Sequence, residues 1–139
     1  MKAAFAHMTA RDFQAAQLCT EHDHQCALFR WAAEMSERFP ILEFMFAIPN
    51  AGAGAQRGQA GKLRAEGVKS GVPDIFIPCA KGGFYGLFIE MKVGRNKPSA
   101  QQKKWIAYLR GFGYRVEVCY GVEEAKRVIL DYLGQEITQ

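Results

Sequence analysis

The sequence has no apolar run near the roughly 20 residues that a membrane-spanning helix needs. The opening MKAAFAHMTARDF carries a short apolar stretch that Arg11 and Asp12 end, too brief for the hydrophobic region of a signal peptide. No targeting segment and a cytoplasmic location are therefore expected. Cysteine is scarce, at Cys19, Cys26, Cys79 and Cys119, and without export these read as reduced thiols rather than a disulfide framework. No internal repeat or low-complexity segment is present, which excludes solenoids and compositionally biased tails. The 139 residues, 49% hydrophobic and 23% charged, fit one soluble domain with a real core.

The positive charge is unevenly spread. The whole chain carries a net +4, but residues 57–110 hold 11 Lys/Arg against Glu66, Asp74 and Glu90, a net +8. A basic middle between acidic ends suits a polyanion-binding face, although a solvated surface gives the same count. CTEHDHQC (19–26) gathers Cys and His at metal-ligand distances along the chain. Structural zinc sites draw ligands from two separated pairs, whereas Cys19, His22 and Cys26 fall at i, i+3 and i+7 of one helix. Ordinary helix packing is the better account.

Periodicity and chain breakers give the elements. Thr9 with Asp12 and Thr20 with Asp23 resemble capping boxes, predicting helices over 10–18 and 21–38, the second ended by Pro40. ILEFMFAIP (41–49) reads as a strand, and NAGAGAQRGQAG (50–61) as a loop of small residues. A short helical turn over 60–66 follows, before Gly67, Gly71 and Pro73 break the chain. IFIP (75–78) and GLFIEMKV (86–93) are strands joined closely enough to pair antiparallel. A helix starts at Pro98–Ser99 and ends at Gly111–Gly113. A strand over 114–120 and a helix over 121–133 close the chain. The last strand–helix–strand unit predicts a parallel crossover beside the antiparallel hairpin. Trp31 and Trp105 fall on apolar helix faces and read as core.

LFIEMKV (87–93) contains the chemistry. In a strand, Phe88, Glu90 and Lys92 share one face, and Leu87, Ile89, Met91 and Val93 the other. An ion pair in an otherwise buried strand is a poor stabiliser: exposed it contributes at most about 1 kcal/mol, and buried its desolvation is expensive. In the antiparallel hairpin Asp74, opening one strand, meets Glu90 and Lys92 late in the other. Two such carboxylates suit Mg²⁺ or Mn²⁺, and a neighbouring ammonium can orient water or stabilise developing negative charge.

GVPD (71–74), a hydrophobic strand, then IEMK (89–92) resembles the PD-(D/E)xK nuclease signature. With IPN (48–50), a Gly-rich segment containing Arg57, and PSAQQKKWIAYLRGFGYRVEVCYG (98–121), the chain resembles the VRR-NUC family of virus-type replication-repair nucleases, over about residues 20–133. The resemblance implies an α/β restriction-endonuclease-like core with a mixed sheet in αβββαβα order, in one domain spanning 1–139. It implies Mg²⁺- or Mn²⁺-dependent phosphodiester hydrolysis on DNA, with branched or four-way junctions as substrate. By position, Asp74 and Glu90 would ligate metal with the Met91 carbonyl, Lys92 would be the catalytic lysine, and Gln102 would steady the site or bind phosphate. Glu21 matches an acidic residue of the family's first helix, with Glu34 as its rival. The family's Ser-Pro-Glu-Gln reads Ser-Ala-Gln-Gln at 99–102. Asn50, Arg57, Lys69 and Arg95 are candidate contacts to nucleic acid, each also explicable as loop or surface. Paired cuts in a junction call for a homodimer, and a viral or phage origin would fit such a small member. A non-catalytic nucleic-acid-binding module on the same fold is the alternative. A small-molecule or protein-binding domain with an incidental ion pair is a more distant third.

Overall fold

A computed structural model describes residues 20–50 and 58–134. The expected helix over 10–18, Cys19 and Arg57 lie outside the described residues. Helix α1 (Glu21–Met35) opens on the expected capping box. Thr20 Oγ1 accepts from the Asp23 amide at 3.1 Å, and Asp23 accepts from the Thr20 amide at 3.1 Å. The helix ends at Met35, short of the expected Arg38.

The strand expected over 41–49 is corrected. Pro40–Phe44 forms a 3₁₀ helix, and only Phe46–Ala47 is strand, β1. Pro40 has its backbone preset for a helical first turn. Leu42 and Met45 are buried while Glu43 and Phe44 between them are exposed. That spacing of three matches a 3₁₀ turn and not the alternation of a strand. Ile48 nevertheless extends the pairing, its amide donating to the Asp74 carbonyl at 2.7 Å.

Helix α2 (Gln59–Ala65) fills the expected short turn. Strands β2 (Ile75–Ile77) and β3 (Leu87–Lys92), helix α3 (Ala100–Gly111), strand β4 (Arg115–Tyr120) and helix α4 (Val122–Tyr132) follow. The sheet order is β1-β2-β3-β4. β2 runs antiparallel to both β1 and β3, and β4 is parallel to β3 through α3. The hairpin and the crossover both match the pattern expected from the sequence.

β3 lies inside the sheet with all six residues buried. Leu87, Ile89 and Met91 pack into one core with Leu28 and Ala32 of α1 and Ala125 and Ile129 of α4. Phe88 packs on the other side with Ile106 and Leu109 of α3 and Val116 of β4, and Trp105 and Tyr114 close around them. Both faces of the strand are thus covered, as a parallel-paired strand requires. α1 and α4 are also tied end to end. Gly121, at the N-terminus of α4, has no side chain to cap it, and His24 Nδ1 accepts the Val122 amide at 2.9 Å. His24 is therefore a half-buried helix cap.

Candidate active site

The register sets the site. Ile75 pairs with Ile89, so one step further Asp74 stands opposite Glu90 and Pro73 opposite Met91. Pro73 is buried and has no amide hydrogen to give the ladder. The Met91 amide bonds instead to Asp74 Oδ2 at 2.8 Å. In an extended strand a residue's N–H and C=O point the same way, so the Met91 carbonyl is turned towards Asp74, at the position where Pro73 offers no donor. The Pro-Asp pair thus does two things: it fixes Asp74 by a backbone bond and leaves a carbonyl oxygen aimed beside it.

Glu90 is 1% exposed and Lys92 7%. Lys92 Nζ lies 3.5 Å from Glu90 Oε1, and Gln102 Nε2 donates to the same oxygen at 2.6 Å. Gln102 is itself held. Its Oε1 accepts the Ser99 amide at 2.8 Å while its own amide donates to Ser99 Oγ at 3.2 Å. The capping box of α3 is therefore complete despite the altered word at 99–102, and it turns the glutamine's NH₂ towards the carboxylate. Glu90 Oε2, by contrast, is buried and accepts no hydrogen bond among the described residues.

These surroundings dictate the electrostatics. Desolvation by burial, reinforced by the negative charge of Asp74, pushes Glu90 up to about 8 against the pull of Lys92. Burial also raises Asp74 above the usual carboxylate range, and the charge of Glu21 adds to this. The Met91 amide, Lys92 and Glu90 oppose it. Two carboxyls made hard to ionise, one with an orphaned buried oxygen, form a donor set short of positive charge. A hard divalent cation would supply it, because such ions take carboxylate and carbonyl oxygen and keep several waters. The residues fit such an ion: Asp74, Glu90 and the Met91 carbonyl. Among the described residues no three His, Cys, Asp or Glu side chains converge as a metal cluster, so a cation here would need the carbonyl and water as well.

The other expected residues are placed as follows. Glu21 and Asp74 line one cavity of about 460 Å³ with His22, Gln25, Cys26, Phe29 and Ala47. Glu21 acts on both carboxyls electrostatically, whereas Glu34, its rival, is exposed near the far end of α1. His22 Nε2 and Cys26 Sγ stand 3.5 Å apart in that cavity. Asn50 is exposed two residues beyond Ile48, Arg95 is exposed just past β3, and Lys69 lines a separate cavity beside Trp105.

Gly71, read in the sequence as a chain breaker at the head of GVPD, has a packing reason that the sequence did not show. Its φ is +86°, and a Cβ there would lie 2.6 Å from Gln101 Cγ and 2.9 Å from the Gln101 backbone. Glycine alone lets the Asp74 segment close against the first turn of α3. The signal was present as a glycine three residues before an acidic strand start, but its meaning needed a contact 30 residues along the chain.

The likeness to known proteins follows the same residues. The sequence profile of the VRR-NUC domain matches residues 20–123. Among curated proteins none matches. A solved structure described as a VRR-NUC domain protein superposes with a TM-score of 0.71 at 29% identity, covering 85% of this chain and 91% of its own. VRR-NUC is a nuclease-type family, and its profile spans α1, Asp74, Glu90, Lys92 and Gln102 together. This chain belongs to the VRR-NUC family.

Proposed function

We propose that the protein is a Mg²⁺- or Mn²⁺-dependent endodeoxyribonuclease that cuts branched DNA such as a four-way junction. One observation carries the reading: the buried Glu90 Oε2, which accepts no hydrogen bond among the described residues, on a carboxyl that interacts by charge with Asp74, with Lys92 3.5 Å from the other Glu90 oxygen. When bound, the cation supplies Lewis-acid chemistry and an acidified water. Asp74, Glu90 and the Met91 carbonyl would hold it, with Glu21, which shares a cavity with Asp74, as a further acidic residue. Gln102 donates to Oε1 of Glu90 and so holds the carboxylate, leaving Oε2 as the oxygen that would be available to a cation. Lys92 orients the attacking water and offsets the negative charge that builds on the phosphate. Asn50, Arg57, Lys69 and Arg95 serve as contacts to the nucleic-acid backbone.

In this reading the chain is one nuclease domain with its core over about 20–133. It works in the cytoplasm, that of a host cell for a viral or phage member, and as a homodimer, since paired cuts need two sites. The test is a labelled four-way junction beside a linear duplex of the same sequence, each with Mg²⁺, Mn²⁺ or EDTA. Paired nicks in the junction are expected only with metal. Lys92→Ala should lower the rate roughly 10²–10³-fold, the usual effect of removing one charge-stabilising donor. Cutting by Lys92→Ala at the wild-type rate sinks the role given to Lys92. Tight, salt-sensitive binding with no product in either metal turns the reading to a non-catalytic binding module.

A further inference from the structure

A second cavity lies between α2 and the start of α3, lined by Arg64, Val68, Lys69, Ser70, Gln101 and Trp105. Its volume is about 260 Å³, below the roughly 300 Å³ at which ligand pockets for drug-sized molecules begin. A duplex cannot enter it, but a single flat ring can. Trp105 is half-buried. It packs against the cluster of Phe88, Ile106, Leu109 and Val116, and the Tyr108 ring meets it edge-on at 6.2 Å. The indole is therefore held in place from behind while it lines the cavity. At the mouth, Arg64 and Lys69 are exposed, and neither is ion-paired among the described residues, although Lys62 nearby contacts Glu66. Ser70 and Gln101 bring a hydroxyl and an amide, able to donate and accept.

From this we infer that the cavity is a subsite for one unpaired nucleotide of the substrate strand, its base stacked on Trp105 and its phosphate held by Arg64 and Lys69. The inference rests on the nucleic-acid reading above and names what that substrate must offer. Aromatic stacking is tolerant of base identity, and the two cations match a phosphate by charge. The position also fits. Ser70 lies four residues before Asp74, and Gln101 is next to Gln102, which holds Glu90. The tight contact of Gly71 on Gln101 joins the two segments. A nucleotide seated here would thus lie against the two segments that lead into Asp74 and Gln102. Leaving the helical stack is easiest for a base that is already unpaired. The cavity thereby gives a physical reason for a preference for branched or interrupted DNA.

The test uses a duplex with a single unpaired 2-aminopurine and its fully paired counterpart, bound by the full chain in EDTA. The wild type should bind the unpaired form roughly tenfold more tightly, the scale of one stacked base, and quench its fluorescence. Arg64→Ala with Lys69→Ala, both at exposed positions, should remove most of that preference. Trp105→Phe should retain it, and Trp105→Leu should lose the quenching while the melting transition reports that it still folds. Equal affinity for the two duplexes, or a preference unchanged in the double variant, overturns the subsite. Cleavage assays separate this from the nuclease reading. If metal-dependent cutting persists without the preference, the subsite falls alone. If preference and quenching appear without any cutting, the subsite stands and the nuclease reading falls.

Discussion

The two halves of β3 are equally buried and energetically opposite. Leu87, Phe88 and Ile89 fill two cores, one on each face of the sheet. Phe88 stacks on Phe76 at 4.3 Å and meets Tyr114 edge-on at 5.3 Å. Two residues on, Glu90 and Lys92 occupy the same depth with a 3.5 Å ion pair, a bond from Gln102, and a Glu90 oxygen that accepts nothing among the described residues. The first half contributes stability through area removed from water. The second half gives some of it back, because a buried carboxylate is worth having only when its partners are complete. One strand thus serves as anchor at one end and, in the proposed reading, carries the site at the other. Rigidity at the apolar end is what permits the charged end to be held out of its comfortable state.

Substitutions at the two ends should therefore separate stability from function. The largest effect on stability is expected at Leu87, which is fully buried. Leu87→Ala should lower the unfolding free energy by about 2–5 kcal/mol, as cavity-forming changes do. Metal-dependent cleavage per folded molecule should stay as in the wild type. Urea unfolding together with a cleavage assay checks both. If Leu87→Ala abolished cleavage while fully folded, the two halves would not be separable.

This division explains what could be read from the sequence. The charged half of β3 was legible because Glu90 and Lys92 interrupt an apolar strand at a spacing of two, and the antiparallel hairpin followed from the short connection to Asp74. The capping box at Thr20 was legible because its partner is three residues away, and at Ser99 the helix start was legible from Pro98 and Ser99 themselves. Pro40–Phe44 was not, because apolar residues in ILEFMF satisfy a strand and a 3₁₀ turn alike until burial shows which positions face inward. Gly71 and Pro73 read as chain breakers and as part of the GVPD word, with no sign of what either does. Their function, closing onto Gln101 and withholding a donor opposite Met91, exists only once distant segments are in register. The cavity at Trp105 was illegible for the same reason, since Arg64 and Trp105 line it together from some 40 residues apart in the chain.

The charged half makes a prediction of its own about pH. The Glu90 carboxyl titrates at about 8 in the folded protein, against an ordinary 4.5. Between those values the folded state keeps a proton that the unfolded chain has released. Stability is then fully present below about pH 4.5 and falls as pH rises through 8, by at most about 1.4 kcal/mol per pH unit from this group. Asp74, also raised, adds in the same direction. In EDTA the wild type should lose stability steadily from pH 5 to 8, and Glu90→Gln, with no proton to release, should show a clearly shallower slope. Mg²⁺ should restore the wild type most at the upper end, because the ionised carboxylates bind it best. Parallel slopes for the two proteins in urea titrations across that range would show that Glu90 is not the group responsible.

The smallest expected effect lies where the two kinds of energetics meet, at Ser99. Its hydroxyl accepts the Gln102 amide, and its own amide holds the Gln102 side chain whose NH₂ reaches Glu90. Ser99→Ala removes the first of these bonds and leaves the second, because the backbone amide remains. The loss in stability should be about 1 kcal/mol, typical of an N-cap serine. The consequence for the site is finer. Without the hydroxyl the first turn of α3 frays, Gln102 samples other rotamers, and Glu90 loses its one neutral donor for part of the time. Mg²⁺ should then bind more weakly while Lys92 and the two carboxylates are untouched, so the metal concentration for half-maximal cleavage rises and the saturated rate is unchanged. Ser99→Thr, which keeps the hydroxyl, should behave as the wild type. A fall in the saturated rate with unaltered metal dependence would mean that Gln102 acts on the phosphate rather than on Glu90, and the glutamine would move from the support of the site to its substrate-binding side.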